Sequence, residues 1–111
     1  MTDNEARTAL TGRLAELDRL DAISADGRAP VTLQQDSVGR LSRMDAMQQQ
    51  AMAQAEERRR NAERTRIAAA LRRLDEGEWG SCVTCGEAIA EGRLKGDPAV
   101  ARCVGCVEKA Q

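Results

Sequence analysis

The segment Gly80-Ser81-Cys82-Val83-Thr84-Cys85-Gly86, followed after seventeen intervening residues from Cys85 by Cys103-Val104-Gly105-Cys106, decides how this chain is read. Its four cysteines make the pattern C-x2-C-x17-C-x2-C, a spacing used by zinc sites. Two thiolates three residues apart in a tight turn can face one ion. Two such turns supply four ligands for tetrahedral Zn²⁺ at about 2.3 Å each. Gly86 and Gly105 are expected to relieve the turns where backbone amides point at the sulfurs. A redox-active C-x-x-C pair calls for a βαβ context, and none is visible. A [4Fe–4S] cluster also takes four cysteines, but paired knuckles favour zinc. Every candidate ligand (Cys82, Cys85, Cys103, Cys106) is a thiol and no position is left open, so one zinc ion in a structural role is expected.

Composition says why such a staple is needed. The chain has 111 residues, 32% of them charged, with one Trp and no Phe, Tyr or His. Aromatics usually dominate the core of a small globule, so a compact fold with a deep pocket is not expected. Zinc would supply the folding energy that a small core lacks. Trp79, three residues before Cys82, is expected to plug the finger against Ile89, Leu94, Val100 and Val107. The absence of His excludes a Ser-His-Asp triad, a Cys-His dyad and a His-liganded catalytic zinc. With no phosphate loop and no nucleophile beside a base, no enzyme is expected.

Upstream of the finger the pattern is helical. Leu10, Leu14, Leu17, Leu20 and Ile23 recur at spacings of three and four, predicting a helix from Asp3 to Ser24. The stretch 25–30 (ADGRAP) is expected to stop it. Val31, Thr32 and Leu33 read as a short extended connection. Arg40 to Glu76 holds neither Gly nor Pro and is rich in strong helix formers. Such a helix would reach roughly 55 Å. Leu41, Met44, Met47, Ala51, Ala55, Ala62, Ala69, Leu71 and Leu74 predict an apolar seam, with Met44, Met47 and Met52 as hairpin core. The run Glu56–Arg66 (EERRRNAERTR) reads as a solvated face laced by i, i+4 pairs, or as a contact surface for an acidic partner.

Charge divides the chain into three blocks. Residues 1–36 carry seven acids and four bases, residues 37–73 four acids and nine bases, and residues 74–111 seven acids and four bases. An antiparallel hairpin would set the acidic first helix against the basic second one. The finger offers no basic patch for phosphates, so sequence-specific DNA binding is not expected and weak nucleic-acid binding is a minor alternative. No apolar run is long enough to span a membrane. The N-terminus is no signal peptide, which predicts a cytoplasmic chain with reduced thiols.

A helical hairpin leading into a four-cysteine finger resembles the DksA/TraR family of bacterial transcription regulators. The carrying residues are Gly80–Glu87, Ile89-Ala90, Arg93-Leu94, Pro98 and Cys103–Cys106. The resemblance, over about residues 36–111, implies a monomer that binds RNA polymerase without DNA sequence recognition. Its coiled coil would enter the secondary channel and bring acidic tip residues near the catalytic Mg²⁺. Several members work with the alarmone ppGpp of the stringent response. The family's tip motif, Asp-x-x-Asp-x-Ala, is not matched in full. Asp36-Ser37-Val38-Gly39-Arg40 keeps the first acid and has Gly39 in place of the second. Counting back from Cys82 puts the tip at Gly39–Arg43, and Asp45-Ala46 is a third alignment. The candidate partner-binding tip residues are thus Asp36, Arg40, Arg43 and Asp45. Asp36 and Ser37 equally suit a helix N-cap, and Asp45, Arg40 and Arg43 equally suit an exposed helix surface.

The expected architecture is therefore mainly α. Residues 1–77 form an antiparallel helical hairpin with its tip around 25–45, and residues 78–111 form a small four-cysteine finger with a short C-terminal helix. A finger-stabilised coiled-coil adaptor, using the same seam on another helical protein, is the alternative function.

Overall fold

Among the described residues the chain forms two long helices and two short ones: α1 (Asp3–Arg28), α2 (Arg40–Asp75), α3 (Glu91–Gly96) and α4 (Val104–Lys109). This computed structural model describes the backbone of residues 1–28 and 40–109 and the side chains of 1–25 and 43–109. The predicted connection Val31–Leu33, the tip candidate Asp36 and the Arg40 side chain lie outside the described residues. The molecule measures 61 × 31 × 20 Å, the outline of a rod. Among the described residues no helix is long and apolar enough to cross a membrane.

Local sequence explains where the helices begin and end. Thr2 and Glu5 form a capping box at the start of α1: Thr2 Oγ1 accepts from the Glu5 amide at 3.1 Å, and Glu5 Oε1 accepts from the Thr2 amide at 3.1 Å. The helix continues past Ser24, through Gly27, to Arg28. The expected stop was too early, because one glycine weakens a helix by up to about 1 kcal/mol without ending it. Helix α2 closes in a Schellman motif. Gly77, at φ +73°, donates to Leu74 O at 3.2 Å, and Glu78 donates to Arg73 O at 2.8 Å.

The hairpin core is small and lies at one end of the rod. Ala6, Leu10 and Leu17 of α1 pack on Ile67, Ala70 and Leu74 of α2, with Leu14 and Leu71 partly buried beside them. The predicted seam of α2 is corrected in this respect. Met44 and Met47 are each 53% exposed and Met52 63%, and Ala51 and Ala62 also face solvent. Ile67 and Ala70, absent from the predicted seam, carry the contact instead. The reason is register. The pairs Arg7–Asp75 and Asp21–Arg60 set Arg28, the last residue of α1, opposite about residue 54 of α2. The methionines precede that point. Ile23 is likewise exposed.

Ion pairs between the helices fix this register. Arg60 Nε donates to Asp21 Oδ1 at 2.6 Å and Arg60 Nη2 to Ser24 Oγ at 2.9 Å. Arg64 Nη2 reaches Asp18 at 3.0 Å and also bonds Asp21. These match the expected acidic-on-basic pairing. Nearer the finger the sense reverses. Arg13 of α1 grips Glu63 through two bonds, at 2.6 and 2.9 Å, and Arg7 meets Asp75 at 2.8 Å. The charged run 56–66 is therefore not only a solvated face, since Arg60, Glu63 and Arg64 turn toward α1. Each exposed pair contributes about 0–1 kcal/mol. Their joint effect is to select one alignment of two helices whose apolar contact is short.

Two outcomes follow. Leu17→Ala, in the buried seam, is expected to cost about 2–5 kcal/mol, whereas Met47→Ala should stay within about 0.5 kcal/mol, both read from urea melts by far-UV circular dichroism. The Arg60 guanidinium, then Arg64, hold the Asp21 carboxyl below its ordinary 3.8. Its contribution to stability is therefore present above that value and is lost as pH falls through the lower native one. Asp21→Asn should flatten the acid limb of the stability–pH profile while leaving its alkaline limb unchanged.

Candidate metal centre

The first knuckle is a minimal hairpin. Ile89 donates to Gly80 O at 2.8 Å, Cys82 to Glu87 O at 2.8 Å, and Gly86 to Cys82 O at 2.9 Å. An isolated antiparallel bridge joins Ser81 to Ala88. The turn reverses at Gly86, whose φ of +80° is left-handed backbone that a side chain resists. Inside it the Thr84 amide donates to Cys82 Sγ at 3.4 Å, as expected of an amide aimed at a thiolate. The second knuckle is built differently. Cys103 lies just before α4, and Val107 donates to Cys103 O at 3.1 Å. Gly105 sits within α4 and is not among the glycines of positive φ. The turn relief expected of Gly105 is not used, because a helix start brings Cys106 round to the same side as Cys103.

The two knuckles bring Cys82, Cys85, Cys103 and Cys106 together with all four Sγ atoms within 4.8 Å of one another. Cys85 Sγ and Cys103 Sγ stand 3.7 Å apart. A tetrahedron of bonds of about 2.3 Å has edges of about 3.8 Å, so the cluster fits one zinc ion. Its electrostatics agree. The backbone of Cys103, then of Cys85 and Thr84, holds the Cys82 thiol down to about 5. The Glu87 amide favours the Cys85 thiolate, yet the adjoining Cys103 and Cys82 sulfurs leave that thiol raised. Cys103, Cys85 and Cys82 together push Cys106 up to about 12. Four thiolates so close cannot coexist near neutral pH without a cation, so loading the site with metal displaces protons. Zinc bound there would cross-link two turns that share no sheet.

Packing joins the finger to the hairpin. Cys82, Ile89, Leu94 and Val100 form a second buried cluster, with Cys103 and Cys106 against it. Trp79 packs on this cluster and also on the hairpin core, and its indole N–H donates to Pro98 O at 2.9 Å. The predicted plug is therefore found with three of its four partners, while Val107 is only half-buried. Sequence reading missed that Ala99 belongs to the hairpin core and its neighbour Val100 to the finger. Asp97 shapes that crossing: its Oδ1 accepts from Ala99 N at 3.1 Å, while Oδ2 takes a bond from Arg66 of α2. The Asp97-Pro98 dipeptide was a readable turn signal, but nothing in it says which core the next residue enters.

Arg43 and Asp45, of the four tip candidates, are exposed on the first turns of α2, at the end of the helix away from the finger. The metal cluster and these residues thus occupy opposite ends of α2.

Chelation of zinc is expected to shift the emission of Trp79, the chain's single Trp, to longer wavelength as water reaches the junction of the two clusters. Fluorescence during chelator titration and zinc add-back reads this without interference from another tryptophan.

Residues 77–111 match the family model of the prokaryotic dksA/traR C4-type zinc finger. No curated protein matches the chain by sequence. Among solved structures, it is similar to transcription factor DksA2 from Pseudomonas aeruginosa, with a TM-score of 0.75 and 21% identity over 97% of this chain and 81% of that one. At this identity the likeness shows a shared fold. The segment 77–111 thus belongs to the dksA/traR C4-type zinc-finger family, and it stands here at the base of a DksA2-like helical hairpin.

Proposed function

We propose that this chain is a transcription regulator that binds RNA polymerase by inserting its hairpin into the secondary channel, with the zinc finger outside at the base. The observation that carries this reading is the finger of the dksA/traR type mounted at one end of a rod only 20 Å across in its thinnest dimension. A slender two-helix rod suits a channel shaped for nucleotide entry better than a globule does. In this reading Cys82, Cys85, Cys103 and Cys106 hold the ion, and Asp36, Arg40, Arg43 and Asp45 form the effector end. A carboxylate there acts at short range on a metal or a basic loop. The alarmone ppGpp is the expected co-regulator.

One observation favours a second reading. Met44, Met47 and Met52 are exposed along α2, and flexible thioethers suit an adaptable protein contact. In the adaptor reading this stretch of α2 docks a helical partner other than polymerase.

Two experiments test the proposal. With cognate RNA polymerase on an rRNA-type promoter, with and without ppGpp, the wild-type chain should shorten open-complex lifetime. Either Asp36→Asn or Asp45→Asn should abolish that effect while polymerase binding persists. No effect on the promoter together with no polymerase binding overturns the reading in favour of the adaptor. For the metal, any of the four Cys→Ser changes should lower zinc below one per chain. Residues 78–111 should then lose amide protection while most helical signal remains, and stoichiometric zinc with an unchanged melt refutes the ligand assignment.

A further inference from the structure

Residues 97–102 connect α3 to the second knuckle, with no strand among them. A segment without regular structure must still satisfy its backbone carbonyls, and here every one of them accepts a hydrogen bond. Asp97 O accepts from Val100 N at 3.0 Å and Ala101 O from Val83 N at 2.8 Å. Pro98 O accepts the Trp79 indole N–H. Arg73 Nη2, reaching from α2, donates to Ala99 O at 3.5 Å and Val100 O at 3.3 Å. Arg93 Nε, from α3, donates to Arg102 O at 3.0 Å. The residue that follows is Cys103.

Among the described residues neither Arg73 nor Arg93 pairs with a carboxylate, whereas Arg7, Arg13, Arg19, Arg60, Arg64 and Arg66 all do. Arg73 is half-buried, and burial lowers its affinity for its proton. A desolvated guanidinium directed at carbonyls instead of an acid spends its donors on holding backbone. The hairpin and α3 thereby stand in for the neighbouring strands of a sheet.

We propose that Arg73 and Arg93 are positioning residues of the zinc centre. They hold the 99–102 segment so that Cys103 meets the first knuckle, with Arg73 acting from the hairpin side and Arg93 from within the finger. The inference rests on the assignment of the four cysteines as ligands and extends it to two side chains that touch no metal. Partners of this kind, which orient a ligand without binding the ion, are worth about 10–100-fold in metal affinity.

Zinc competition against a chromophoric chelator, with Co²⁺ substitution read by its d–d absorption bands, tests this on the full chain. Arg73→Met and Arg93→Met should each weaken zinc binding by about tenfold or more and perturb the Co²⁺ bands, with far-UV circular dichroism unchanged. Arg73→Lys should recover part of the loss, since an ammonium can still donate to a carbonyl. Arg72→Met, an exposed neighbour on the same helix, should bind as wild type does. Wild-type affinity and Co²⁺ spectra in both methionine variants would overturn the proposal. So would a loss of zinc accompanied by an equal loss of helix in both, because that marks a general folding defect. A wild-type chain that binds no zinc would be recognised separately, as failure of the ligand assignment itself.

Discussion

The indole of Trp79 is the contact on which the two halves of this molecule depend. The hairpin core and the finger core are both small, and Trp79 packs against each. With no Phe or Tyr elsewhere, no other side chain offers comparable apolar area at the junction. The Schellman turn at Gly77 matters for the same reason. It ends α2 so that the chain turns back and delivers Trp79 two residues later, against the base of its own helix. The crossing of Ala99 into one core and Val100 into the other completes the weld from the opposite side.

Away from the weld the hairpin relies on charge more than on apolar burial. The buried seam spans Leu10 to Leu17 on one helix and Ile67 to Leu74 on the other, with Ala6 at its edge. Toward the far end Asp21 gathers Arg60 and Arg64, and Ser24 takes a second bond from Arg60. Such pairs add little net stability each, yet a displaced register would set like charges against one another. The rod is thus held by apolar packing near its base and by ion pairs where Asp21 meets Arg60 and Arg64. A packed base and a far stretch of α2 that leaves Met44, Met47 and Asp45 exposed suit the proposed use, in which the base stays outside the polymerase and the far end makes the contacts.

Much of the centre was legible in the sequence, and particular residues show why. Cysteine spacing is a local property, so the two knuckles, and the turn at Gly86, could be read without knowing the fold. The same holds for both long helices, whose heptad-like leucines and unbroken run of helix formers speak for themselves. Failures came where a residue's environment depends on what lies opposite. Met44, Met47 and Met52 look like core on a helical wheel and face solvent instead. Ile67 and Ala70 look unremarkable among alanines and carry the packing. Ile23 continues the leucine stripe in spacing but not in burial.

By itself the sequence determined the four cysteines that the two knuckles bring together, the mainly helical class, the excess of acids on the first helix and of bases on the second, and the class of protein this finger resembles. These follow from short-range spacing and from the sign of charge, which survive any tertiary arrangement. Only the tertiary structure decided the helix register and so which apolar residues are buried. It also decided that Ala99 and Val100 part company between two cores, and that Arg73 and Arg93 give their donors to backbone carbonyls. Those outcomes depend on distances between residues far apart in the chain, and such distances exist only once the helices have packed.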